Sequence, residues 1–176
     1  MRSKTRIQAL VMVALLLACS ATLARGVYQE PEAFISDAFE GKPPVAKVLW
    51  LTTAMQPDIM RILGHPYAQQ RVRYWQAGAR SVWVLDEIGK EEPITTGIIV
   101  NQDRIETVKI LIYRESRGDE VRYPAFTGQF KGATLTANRE LDRQIDGISG
   151  ATLSSHALTR LARLALYFDA RSRETK

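Results

Sequence analysis

The chain is poor in the residues on which most catalytic and metal-binding sites depend. Cys19 is the sole cysteine among 176 residues, so no disulfide forms within the chain, and everything after the leading segment lacks a thiol nucleophile. His65 and His156 are the only histidines, and with no cysteine near either, nothing stands at metal-ligand spacing. No metal site is therefore expected. There is no Gly-x-Gly-x-x-Gly run after a strand and no Gly-x-Ser-x-Gly elbow, so a dinucleotide-binding domain and a hydrolase triad are both unsupported. No low-complexity tract or solenoid-period repeat is present.

Long apolar runs are also missing. Ala9 to Ala18 gives ten apolar residues, well short of the roughly 20 a helix needs to cross a bilayer. With Arg2, Lys4 and Arg6 before it and Ser20, Ala21 and Ala24 after it, residues 1–24 have the three-part layout of a secretory signal peptide. Leu16-Leu17-Ala18-Cys19 resembles a bacterial lipoprotein box, which would make Cys19 a lipidated first residue; Leu17 departs from the small residue usual there, and cleavage after Ala24 is the alternative. The product is expected in the periplasm, free or held on the periplasmic side of the membrane by a lipid anchor. The formal charge of +5 shrinks on cleavage, because the segment carries basic residues and no acidic ones. The remaining Lys and Arg are interspersed with Asp and Glu, unlike a nucleic-acid footprint, and no nucleic-acid partner is expected.

From residue 25 to residue 176 the pattern is that of one domain. Pro31 to Phe39 and Gln56 to Leu63 read as short helices, the second closed by Gly64-His65-Pro66. From Arg71 the period is two: Val72 and Tyr74, then Val82 and Val84 beyond Gly78, predict a hairpin. Ile94 to Asn101 and Ile105 to Tyr113 predict another, joined by Asn101-Gln102-Asp103-Arg104. A charged loop, Glu115 to Pro124, leads to Phe126 and Phe130, spaced for one helix face. At the end Leu158, Leu161, Ala165 and Phe168 form an apolar stripe opposite His156, Arg160 and Arg163. The expected class is α+β: an antiparallel sheet with flanking helices, to one side and at the ends, and a C-terminal amphipathic helix. Trp50, Trp75 and Trp83 are expected in the core or on a sheet face. The series Arg160, Arg163, Arg171 and Arg173 reads as a solvated helix face, with docking to an acidic redox partner as the alternative.

The run Asp146-Gly147-Ile148-Ser149-Gly150-Ala151-Thr152-Leu153-Ser154-Ser155 directly precedes that helix. A helix N-terminus carries about half a positive charge and several unpaired N–H donors, so a small-residue loop delivering hydroxyls there suits a phosphate. Gly150 would let a ligand meet the backbone without a Cβ in the way. The plainer reading is that Ser149, Thr152 or Ser154 caps the helix. Physical chemistry alone leaves both open.

Asp146 to Thr152 resembles the flavinylation motif Asp-x-x-Ser/Thr-Gly-Ala-Thr/Ser of the FMN-binding domain family, which includes flavin-carrying subunits of the sodium-translocating NADH:quinone oxidoreductase and of the related ferredoxin-linked complex. The resemblance runs from about Thr95 to Tyr167, with Gly97 and the hairpin Ile98 to Tyr113 matching the first strands. Glu115-Ser116-Arg117-Gly118 resembles the family's Glu-Thr-Pro-Gly flavin loop, with Arg117 standing where proline is usual. Phe126, Phe130 and Gly132 resemble its Phe-rich helix and following glycine. The resemblance implies FMN as cofactor, joined by a phosphoester to Thr152, with Asp146, Ser149, Gly150, Ala151, Glu115, Ser116 and Gly118 as further cofactor-binding residues.

It further implies a separate FAD-dependent flavin transferase as partner, releasing AMP, with Asp146 read by that enzyme or positioning it. No catalytic residue on this chain is required, because the chemistry belongs to the cofactor. The expected function is electron transfer between a membrane redox partner and a periplasmic acceptor. A small flavin-dependent reductase, and a lipid-anchored module whose loop is only a cap, are the alternatives. His156 is placed on the polar face of the helix, with a flavin contact as its alternative.

Overall fold

The computed structural model describes residues 26–174; the signal segment and Cys19 lie outside them. Five strands, β1 (Lys47–Trp50), β2 (Arg71–Ala77), β3 (Arg80–Ile88), β4 (Pro93–Asn101) and β5 (Arg104–Tyr113), form one sheet in the order β1-β2-β3-β4-β5. Every neighbouring pair is antiparallel. With helices α1 (Pro31–Ala38), α2 (Gln56–Leu63), α3 (Pro124–Thr127) and the long α4 (Thr152–Glu174), the fold is α+β. No helix among the described residues is long and apolar enough to cross a membrane.

The turns follow from local chemistry. In β2–β3 the pairing of Ala77 with Arg80 leaves Gly78 (φ 58°) in the loop. In β4–β5 the pairing of Asn101 with Arg104 leaves Gln102 and Asp103, both left-handed (φ 51° and 60°). Two positive φ angles in a two-residue loop match the right-handed twist of the strands it joins. The mixed apolar stretch 45–53, to which periodicity assigns no element, contains the edge strand β1.

The sheet is covered on both faces. On one side Trp83, Ile98, Val108 and Ile110 pack with α2 and α4 in the principal core, which also takes in Leu49 and Val72 from the first two strands. On the other, Phe34, Ile35 and Ala38 of α1 lie on Val82, Ile99 and Leu111. Helices are thus not confined to one side and the ends, because β3, β4 and β5 each carry apolar residues on both faces. Trp83 is fully buried and stacks on Tyr74 with centroids 4.7 Å apart. Trp50 is on a sheet face and not in the core: it sits 60% exposed on β1 beneath the Arg71 guanidinium.

The helix α4 is buried well beyond a stripe. Leu158, Leu161, Ala165 and Phe168 are fully buried, and so are Ala157, Ala162 and Leu164. Its arginines do not form a solvated face, nor a free cationic surface for a partner. Arg160 pairs with Glu87, Arg163 with Glu140, Arg171 with Glu174 and Arg173 with Asp169. Asp169 is 1% exposed and also accepts from Ser81 Oγ (2.6 Å), which accepts from Trp83 Nε1 (2.8 Å). A buried carboxylate is tolerated only with such a full set of donors.

Gly97 faces α1, and a Cβ there would stand 2.4 Å from Phe34 Cε1. Gly97→Ala should therefore cost roughly 1 to 3 kcal/mol, the usual penalty for overpacking a filled site. Urea denaturation measures it, and a variant as stable as the parent would contradict this account of α1 docking.

Candidate functional site

Strand β5 delivers the site. A regular strand would return to the same face every second residue, but its core-facing residues are Ile105, Val108, Ile110 and Tyr113. Register shifts between Ile99 and Val100 and between Thr95 and Thr96 of β4 absorb the extra residues, as bulges do. The second shift brings Tyr113 onto the α4 side. Its hydroxyl donates to the Arg117 carbonyl (2.6 Å), and because that uses its one proton, the Ser154 hydroxyl donates to Tyr113 in the 3.0 Å contact between them. Burial pushes the Tyr113 hydroxyl up from its ordinary value, so it stays protonated as the donor.

Tyr113 thereby ties the loop after β5 to the first turn of α4. Gly118, left-handed at φ 84°, completes the junction: a Cβ there would lie 3.0 Å from Tyr113 Oη and 3.2 Å from Ala151 Cβ. Only glycine satisfies both the φ and the close approach.

The junction floors a cleft of about 560 Å3 lined by Lys90, Glu91, Glu115, Ser116, Arg117 and residues 150–154. That lies within the roughly 300 to 1,000 Å3 typical of small-molecule sites. Thr152 is the first residue of α4 and is exposed. Its hydroxyl makes no hydrogen bond among the described residues, and the N–H groups of Thr152, Leu153 and Ser154 have no acceptor there. Ser149 and Thr152 do not cap the helix through their side chains, and Ser154 is turned to Tyr113 instead. The preceding loop is braced by Ser155, whose Oγ donates to Ala151 O (3.0 Å) and accepts from Ile148 N–H (3.3 Å). Gly150 is left-handed at φ 85° with open space where a Cβ would stand; the turn demands its conformation, and the cleft lies open beside it.

Of the residues singled out in the sequence, Glu115, Ser116, Gly150, Ala151 and Thr152 line this one cleft, with Gly118 packed under it. Asp146 and Ser149 are exposed and outside its lining. Asp146 is held through its backbone: its N–H donates to Gln129 Oε1 (2.8 Å) and its carbonyl accepts from Gln129 Nε2 (3.2 Å). The Glu115 carboxylate is committed to the β3–β4 turn, where Oε1 accepts from the N–H groups of Lys90, Glu91 (2.7 Å) and Glu92 (3.1 Å). Partial burial raises its proton affinity, but the three N–H donors outweigh this and hold the carboxyl below its ordinary range.

His156 lines a separate groove with Arg61 and Gly64, so a flavin contact from it has no support. His65 bonds Glu87 through Nε2 (2.9 Å) and the Pro66 carbonyl through Nδ1 (2.9 Å); with both nitrogens engaged it serves the fold. Tyr113, Lys90, Glu91 and Leu153 escaped sequence reasoning. A tyrosine ending the last strand before the Glu115 loop was the one available signal.

A family model described as FMN-binding domain matches residues 89–167, a stretch containing every residue that lines the cleft. No curated protein matches the chain.

The Glu115 geometry sets a pH dependence. A carboxyl whose folded-state value is lowered contributes stability that is present above its unfolded value, about 4.5, and is lost as pH falls through the folded value. Glu115→Gln should be less stable than the parent at neutral pH, by roughly 1 to 2 kcal/mol. The gap should close in acid. Urea denaturation at both pH values checks this, and a gap that persists unchanged in acid would contradict it.

Proposed function

We propose that the chain, whose residues 89–167 match the family model described as FMN-binding domain, is an exported electron carrier holding one FMN through a phosphoester on Thr152. The carrying observation is the state of Thr152: an exposed, unengaged hydroxyl on the first residue of a 23-residue helix whose leading N–H groups lack acceptors. Unpaired donors and the positive end of the helix dipole suit a phosphate at that atom. A diester keeps one negative charge. The helix end stabilises it by about 0.3 to 1 kcal/mol, enough to orient the group and far too little to retain it without a bond.

Among the described residues no imidazole or carboxylate bonds the Thr152 hydroxyl, so none of them is placed as a base to activate it. A separate FAD-dependent flavin transferase fits that lack. The Thr152 oxygen forms an ester to the FMN phosphate, the phosphoanhydride of FAD breaks, AMP leaves and the hydroxyl proton is released. Asp146, exposed and without a side-chain partner among the described residues, is placed for that enzyme to read.

Bound FMN accepts one or two electrons, and this chain's residues hold it and tune it. Of the groups that could pass a proton to a separate substrate, Glu115 is tied to three N–H donors and the Tyr113 proton is given to Arg117 O. That favours relay over substrate reduction. The partners are a membrane reductase and a periplasmic acceptor. Covalent attachment suits the periplasm, where lost flavin is not replaced, and a lipid on Cys19 would keep the carrier at the membrane.

Thr152→Ala should abolish flavin fluorescence in a denaturing gel when the protein is produced with the transferase. Its stability should change by less than about 0.5 kcal/mol, since no cap bond is lost. Thr152→Ser should retain some label. A fluorescent alanine variant would refute the attachment site.

A further inference from the structure

The charged groups of the cleft are not equivalent. Lys90 Nζ pairs with Glu91 (3.0 Å), and the Glu115 charge is spread over three backbone N–H groups. Arg117 differs: its guanidinium makes no hydrogen bond, ion pair or ring contact among the described residues. Yet its backbone is fixed. Its carbonyl is held by Tyr113 Oη at 2.6 Å, and the next residue, Gly118, is packed on Ala151. An arginine stem pinned at the cleft, one residue from a contact with the start of α4, carries the cleft's single uncommitted charge.

We infer that Arg117 lies along the flavin ring and raises its reduction potential by pairing with the negative charge that reduction leaves there. The inference rests on FMN being carried at Thr152. A phosphate on Thr152 would have the N–H groups of residues 152–154, which lack acceptors among the described residues, to hold it. A ring joined there would extend along the remaining walls, which are Lys90, Glu91, Glu115, Ser116, Arg117 and Leu153, and of their charged groups only the Arg117 guanidinium has no partner among the described residues. Two electrons taken up with one proton leave one negative charge on the ring. A guanidinium beside it favours the reduced form, and because the cleft is open the effect is partly screened. A planar fork that stacks and donates on one edge suits such a ring better than an ammonium would.

The test compares the flavin-loaded parent with R117Q and R117K by redox titration against a dye of known potential, at low and high salt. Loading is read separately by intact mass. R117Q should load fully yet titrate at a more negative potential, its reduced-to-oxidised ratio at a fixed poise falling roughly threefold to tenfold. R117K should recover part of the shift, and the gap between parent and R117Q should narrow in high salt. An R117Q protein that loads fully and titrates with the parent would overturn the inference. So would reduced loading at unchanged potential, which would assign the guanidinium to the phosphate. A parent that takes up no flavin at all would instead refute attachment at Thr152, which mass alone reveals.

Discussion

The site depends on one close approach. Gly118 lies against Ala151 and the Tyr113 hydroxyl at distances that leave no room for a side chain, and this contact joins two segments more than thirty residues apart in sequence. Without it the loop 115–118 and the start of α4 would be separate surface features. With it, Ser116, Arg117 and Thr152 line one cleft. The same contact sets the charge environment, since it fixes where the Arg117 stem begins.

That approach is prepared within β5. Its bulge beside Thr95 and Thr96 of β4 turns Tyr113 toward α4, and from there one hydroxyl serves two segments, giving its proton to Arg117 O and accepting that of Ser154. Glu115 extends the arrangement by holding the β3–β4 turn, which contributes Lys90 and Glu91 to the cleft. Behind the site α4 is pinned along its length by the pairs of Arg160 with Glu87 and Arg163 with Glu140, and by the bond its own Asp169 accepts from Ser81. The start of α4 therefore belongs to a rigid element while Thr152 stays exposed.

Much of this was legible in the sequence. The hairpins showed in their period of two, and the loop Gln102-Asp103 in its polar turn residues, because both signals are local. The convergence of Glu115 to Gly118 with Thr152 came from the resemblance to the FMN-binding domain family, since no local rule links residues so distant. Strand β1 was missed: with four residues and only Leu49 buried, it has no periodicity to read. Arg160 and Arg163 of α4 were misread because helical spacing shows which face they share but not the carboxylates waiting on β3 and in the 134–142 segment, whereas the nearest carboxylates to Arg171 and Arg173 lie on α4 itself, one turn away. Tyr113 was hidden by the bulge, which alters the parity that pattern reading relies on. The structural use of Glu115 was invisible because its acceptors' partners are backbone N–H groups of another turn.

The central claim is a covalent bond between this chain and FMN at Thr152. It is tested most directly by the intact mass of protein recovered from its exported compartment with the flavin transferase present, followed by mass mapping of the peptide spanning residues 146–160. The account predicts an added mass of FMN less one water, located on Thr152. An unmodified chain under those conditions, or the added mass on another residue, would contradict it.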